Sequence, residues 1–239
     1  FFDVVSWTGN GSNRTISHSL GSTPGFIIIK RISASEDWTC WHRSVGATKY
    51  LQLNGNGSAA SLSAFMNDTE PTSTNFTVGT HDRVNTNGET YVAYVFAHND
   101  QSFGTDSDEA IISCGSLSGS IGNGGFVSLG FEPQWILAKR TDSSDNWYLA
   151  DIMRDASINS GRYLRANTNN VEESAMMFEP TPTGFRQHFS GASAANIVYI
   201  AIRRPNKPPT DATEVFDTNL VTTGTVSYTH LTLPTILLV

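Results

Sequence analysis

Two cysteines among 239 residues, Cys40 and Cys114, cannot build a disulfide framework, and neither sits in a catalytic-thiol motif. Both are expected to be inert, buried thiols. Charge is also scarce: Asp, Glu, Lys and Arg together make 15% of the chain against a typical quarter, so Ser, Thr, Asn and Gly must supply much of the surface. The net charge of −7 and the lack of a Lys/Arg cluster argue against a nucleic-acid partner. Long apolar runs are missing, and Ile236–Val239 is far too short for a span, so no membrane insertion is expected.

Catalytic signatures are missing as well. There is no G-x-S-x-G elbow and no Gly-Lys-Ser/Thr phosphate loop. The six histidines show no H-x-x-x-H spacing, and the acidic clusters at Asp106, Asp108 and Glu109 and at Asp142 and Asp145 lack calcium-loop spacing. Gly55–Ala60 matches G-x-G-x-x-A, yet no following helix or parallel βαβ unit is readable, so it reads as a turn. No metal, no cofactor and no enzymatic activity are expected. The rival is a glycan hydrolase, which would need two facing carboxylates.

What the chain does contain is a repetition. Leu20–Trp38 (LGSTPGFIIIKRISASEDW) returns as Leu129–Trp147 (LGFEPQWILAKRTDSSDNW), pairing Leu20 with Leu129, Pro24 with Pro133, Lys30 with Lys139, Arg31 with Arg140 and Trp38 with Trp147, each 109 positions apart. Strands are expected at Phe1–Trp7, Phe26–Ile29, Asp37–Ser44, Lys49–Leu53, Phe76–Val78 and Thr90–Ala97, punctuated by turns at Asn10-Gly11, Pro24-Gly25 and Asn87-Gly88. The second copy repeats them at Ala110–Cys114, Gln134–Arg140, Trp147–Asp151, Arg162–Ala166 and Asn196–Arg204, with Ser113 aligned to Ser6 and Cys114 to Trp7. Asn75 and Gly184, each before a Phe, are expected in left-handed backbone. Only Ser58–Phe65 and Val171–Phe178 carry helix-favouring content.

The expectation is an all-β protein of two tandem antiparallel β-sandwich repeats of jelly-roll or lectin-like type: 1–99, a connector at 100–108, and 109–204. A Pro-rich linker follows at 205–225, and 226–239, containing VSYTHLTLPT, reads as translated sequencing adaptor. The chain opens in mid-strand at Phe1, so residues are expected to precede it.

The aromatic residues are the remaining candidates for a site. Trp38 and Trp147 recur, which points to core. Trp41 falls on the opposite strand face from Trp38, between Asp37 and Arg43, where an exposed indole could stack on a sugar ring or anchor a protein. Cover by a neighbouring loop or the second repeat is the competing reading. Trp41, Arg43 and Asp37 are therefore the candidate ligand-binding residues.

The phrases LGSTPGFIIIKR, NFTVG and VNTNGETYVAYVFA in the first copy, and GFEPQWILAKR, NWYLADIMRD and YIAIRRPNKPPT in the second, resemble a β-rich repeat of tailed-bacteriophage structural proteins, marine phages especially. The resemblance covers about residues 1–215 and brings no catalytic residues. It implies a virion component, of tail-fibre or tail-associated type, working by adhesion or as a spacer. The implied partners are other virion proteins or further copies of the chain, for instance in a trimer, and host-surface glycan. A secreted lectin-like module is the alternative location and role.

Overall fold

In the computed structural model, residues 1–99, 110–117, 124–154, 161–188 and 196–204 are described. They form strands joined by tight turns, because β-branched and aromatic runs alternate with Gly and Asn punctuation. In the first half these are β1 (Phe2–Thr8), β2 (Arg14–Ser17), β3 (Phe26–Arg31), β4 (Thr39–His42), β5 (Lys49–Gln52), β6 (Ala60–Ser61), β7 (Asn75–Val78) and β8 (Thr90–Phe96). Two single-turn helices, α1 (Ser63–Met66) and α2 (Asp82–Asn85), interrupt them. The second half holds β9 (Ile112–Leu117), β10 (Gly125–Ser128), β11 (Pro133–Arg140), β12 (Trp147–Asp151), β13 (Arg162–Arg165), β14 (Glu173–Ser174), β15 (Phe178–Thr181), β16 (Gly184–Gln187) and β17 (Ile197–Arg203). The protein is all-β and its sheets are antiparallel.

The strand orders of the halves correspond. One six-stranded sheet runs β1-β8-β3-β4-β5-β6 and the other β9-β17-β11-β12-β13-β14, while β2-β7 is matched by β10-β16, with β15 added at its edge. The registers agree residue by residue. Ile27 faces Trp41 as Ile136 faces Ala150, Cys40 faces Leu51 as Leu149 faces Leu164, and Ile16 faces Phe76 as Val127 faces Phe185. In the first strand the register corrects the sequence alignment. Phe96 faces Phe2 and Tyr94 faces Val4, as Ile202 faces Ile112 and Ile200 faces Cys114, so Cys114 answers to Val4 and not to Trp7.

Three apolar layers hold the sheets. Ile16, Phe76 and Val78 of the small first sheet pack on Ile27, Ile29, Trp41, Tyr91, Ala93 and Val95. Val127, Phe178 and Phe185 pack likewise on Ile136, Ala138, Ala150 and Tyr199. Between the two six-stranded sheets lies the third, in which Phe26, Cys40 and Leu51 meet Ile112, Cys114, Leu137, Trp147, Val198 and Ile200. The order is therefore small sheet, large sheet, large sheet, small sheet. Strand β3 shows why: Phe26 points into the shared layer, and Ile27 and Ile29 point into the first half's own layer. The continuous apolar run Phe26–Ile29 is what a strand covered on both faces requires.

Hydrogen bonds cross the shared layer too. Trp147 Nε1 donates to the Gln52 carbonyl at 2.7 Å, Lys139 Nζ to the Asn56 carbonyl at 3.3 Å, and the Ala59 N–H to the Thr141 carbonyl at 2.9 Å. The described residues lie within one unit, Phe1–Pro205. The linker at 205–225, the stretch 226–239 and the connector at 100–108 lie outside them.

Several expectations need correcting. Val171–Phe178 is not helical; it contains β14 and the first residue of β15. Asn75 and Gly184 open ordinary strands, and among the described residues positive φ falls instead at Asn67, Asp68 and Asn99 and at six glycines, Gly11 and Gly88 of the expected turns among them. Gly184 is glycine for another reason: a Cβ there would stand 1.9 Å from the Val127 carbonyl oxygen. Trp38 is exposed rather than core, and of the two readings of Trp41 the covered one holds, which removes it from the candidate ligand-binding residues.

Candidate binding surface

Asp37, Trp41 and Arg43 do not converge. Trp41 alternates away from the shared layer, as the strand pattern requires, but that side carries the small β2-β7 sheet, which leaves it 1% exposed. It cannot meet a ligand. Arg43 follows the last residue of β4, where the chain turns, so its side chain reaches solvent and its N–H donates to the Gly25 carbonyl at 3.0 Å. Only Asp37 stands beside an open aromatic, and that aromatic is Trp38.

Trp38 immediately precedes β4. Its N–H donates to Asn54 Oδ1 at 3.0 Å and its carbonyl accepts from the Leu53 N–H at 2.9 Å, which fixes the backbone at the strand entrance. Asn54 Nδ2 in turn donates to Asp37 Oδ1 at 2.8 Å. The second half repeats the device: the Trp147 N–H donates to Asn167 Oδ1 at 2.9 Å, and Asn167 Nδ2 donates to Asn146 Oδ1 at 2.8 Å. Asp37 is held further by the Gln52 amide and by Arg83 Nη1 at 2.8 Å, and the Arg83 guanidinium lies 5.2 Å from the Tyr50 ring. The Asn54 amide and the Arg83 charge keep the Asp37 carboxyl below the usual carboxylate range.

The Trp38 ring stacks on Tyr94 with centroids 6.3 Å apart, and Tyr94 stacks on Phe2 at 6.4 Å. Lys30 Nζ lies 5.9 Å from the Trp38 centroid. Phe1, Phe2, Val4 and Trp38 are all exposed, so the outer end of the first large sheet carries an aromatic face rimmed by Lys30, Asp37 and Asn54. Sequence reasoning misses Trp38 because it recurs as Trp147, and recurrence points to core. The signal that could have revealed it, the lateral offset between the two sheets, is not local.

A recess of about 250 Å³ opens where the halves meet; Ser44 and Lys49 line it from the first half and Ser116, Thr141, Asp142 and Asn196 from the second. Asp142 is the one carboxylate in its lining, and its Arg140 partner at 2.7 Å holds it below the usual range. Among the described residues no three His, Cys, Asp or Glu side chains are grouped to hold a metal, and no helix is long and apolar enough to cross a membrane. Cys40 and Cys114 are free and buried, and burial pushes both thiols far up from their ordinary range.

These features define the class: an all-β protein of stacked antiparallel sheets whose open chemistry is an aromatic face at one sheet end. The chain belongs to the family described as a domain of unknown function, DUF7483, which it matches over residues 1–203. No curated protein and no solved structure matches it.

Proposed function

We propose that the two halves are copies of one β-sandwich unit and that the chain is a non-enzymatic building module of a phage virion surface, of tail-fibre or tail-associated type. Its work is spacing and adhesion. The observation that carries this reading is the shared apolar layer. Sheets that bury Phe26, Leu51, Trp147 and Ile200 against one another make a stiff body, and close packing of this kind transmits load, as a spacer requires. Immunogold labelling tests the virion assignment. Antibody to the chain should decorate tails of particles from the phage that encodes it, and clean particles beside labelled cell lysate would overturn it.

A host glycan is the adhesive ligand favoured by the setting of Trp38, a half-open indole with a cation over it and a carboxylate and an amide beside it. Glycan-array binding that Trp38→Ala abolishes would support this role. Release of reducing sugar from a retained glycan would favour the hydrolase instead.

A further inference from the structure

The matching registers allow each side chain of one half to be compared with its counterpart in the other, and the comparison is lopsided. In the second half, Ile112, Cys114 and Trp147 are 3%, 1% and 1% exposed, because they press against the first half. Their counterparts Phe2, Val4 and Trp38 are 43%, 51% and 37% exposed. The first half presents instead Phe26, Cys40 and Leu51, all at most 1% exposed, whose counterparts Trp135, Leu149 and Leu164 are only partly covered. The contact between halves is therefore heterologous. One surface of the unit (the β1/β8 end and its tryptophan) docks on a different surface (the start of β3 with β4 and β5). A pseudo-two-fold contact would have buried counterparts equally.

A heterologous contact between two copies leaves one surface of each kind unused. The unused docking surface is Phe2, Val4, Tyr94 and Trp38. The unused receiving surface lies around Trp135, Leu149 and Asp151, where a shallow depression of about 510 Å³ is lined by Gln134, Trp135 and Asp151–Arg154 and Met153 stands 90% exposed. The first is apolar, the second sets Trp135, Ile152 and Met153 beside Gln134 and the Asp151–Arg154 ion pair, and they sit on opposite halves of the chain.

We propose that the aromatic face of the first half docks on the Trp135–Met153 surface of a second copy of this chain, continuing between molecules the contact that joins the halves within one. Trp38 then packs towards Trp135 as Trp147 packs on Phe26, whose centroids are 6.3 Å apart. Repetition of such a contact gives a head-to-tail array or, if the rotation closes, a ring.

One substitution sets the strength. Within the chain, Gly25 admits Cys114, since a Cβ there would lie 2.6 Å from its Sγ. The corresponding position is Gln134, at a β-bulge in β11. The incoming Val4 therefore meets a side chain that must swing aside, and the contact between molecules is looser than the one within. Copies carrying −7 each also repel one another, so association strengthens with salt.

This proposal goes beyond the virion reading and does not depend on it. Sedimentation velocity of the full chain over a concentration series, at low and high salt, tests it with Val4→Arg and Met153→Arg, both at open positions that leave the cores intact. Wild type should grow in size with concentration without stopping at a dimer or should close into a ring, and each variant alone should associate at least about ten-fold more weakly. An equimolar mixture of the two variants should form a one-to-one dimer that grows no further, since each retains the surface the other has lost. A wild type that stays monomeric throughout overturns the proposal, including the case in which the face takes only glycan. So does a closed dimer sensitive to Val4→Arg alone, or growth that neither substitution slows.

Discussion

The indole Nε1 of Trp147 donates to the backbone carbonyl of Gln52 at 2.7 Å, joining β12 to the end of β5 across the layer that the two large sheets share. Trp41, buried in the first half's own layer, has an Nε1 with no partner. The two buried indoles thus differ in one bond, and substitution separates its contribution from that of volume. Trp147→Ala and Trp41→Ala should each cost about 3–5 kcal/mol in urea denaturation. Trp147→Phe removes the stronger of two donors to the Gln52 carbonyl, the Gly55 N–H at 3.2 Å remaining, and should cost about 0.5–1.5 kcal/mol beyond the change in packing. Trp41→Phe removes an unpaired donor and should be the milder of the two. Equal losses for the two Phe variants would count against the bond.

Trp38→Ala should shift stability by no more than about 1 kcal/mol, because the ring covers Tyr94 and leaves no cavity behind. The measurement is the urea midpoint at neutral pH, compared with Trp147→Ala. A loss of several kcal/mol would place Trp38 in the core, as its recurrence in the sequence suggested.

Strand faces are written in the local sequence, whereas the offset between sheets is not. The alternation Thr39–His42 was legible, and Cys40 and Trp41 do enter opposite layers. So was the covering of Phe26–Ile29 on both faces, and the strand positions follow from turn residues such as Gly11 and Gly88, whose φ values are +71° and +81°. Burial of tryptophans was not legible. It depends on which end of one sheet lies over which end of another, and that offset arises from contacts such as Cys114 on Gly25, far apart in sequence. For the same reason the sequence points to Asp37 beside the open face but not to Trp38, the indole that stands open next to it.

Gly25→Ala tests the close approach directly. The added Cβ would lie 2.6 Å from Cys114 Sγ and 2.8 Å from both Cys114 Cβ and His98 Cβ, so the halves must separate locally. A loss of about 1–3 kcal/mol is expected in chemical denaturation, with both thiols gaining reactivity towards a thiol reagent. Gly57→Ala, where nothing lies within 4 Å, is the control and should be near neutral. Thiols that stay silent in Gly25→Ala would show that the strain is absorbed elsewhere.

His42 makes the shared layer sensitive to acid. The Ser44 N–H donates to its Nδ1 at 3.1 Å, which fixes the neutral tautomer with the proton on Nε2, and Nε2 donates to the Tyr199 carbonyl of the other half at 3.1 Å. Burial lowers its pKa to about 4, and the neighbouring Arg43 charge acts in the same direction. The unfolded chain protonates this imidazole near 6.5. Between about pH 6.5 and 4 the unfolded state therefore binds more protons, and stability falls as pH falls through that window. Above it both states are neutral at His42 and the slope vanishes. Below about 4 both are protonated and the full loss, about 3 kcal/mol, has been taken. His18, lowered chiefly by its own burial, adds to the slope in the same sense. His42→Gln keeps a donor to Tyr199 without a titrating proton. Urea midpoints measured at about pH 7.5 and about pH 5 should converge in this variant more than in wild type, leaving the His18 share. An unchanged difference between the two pH values would remove His42 as the acid-sensitive group.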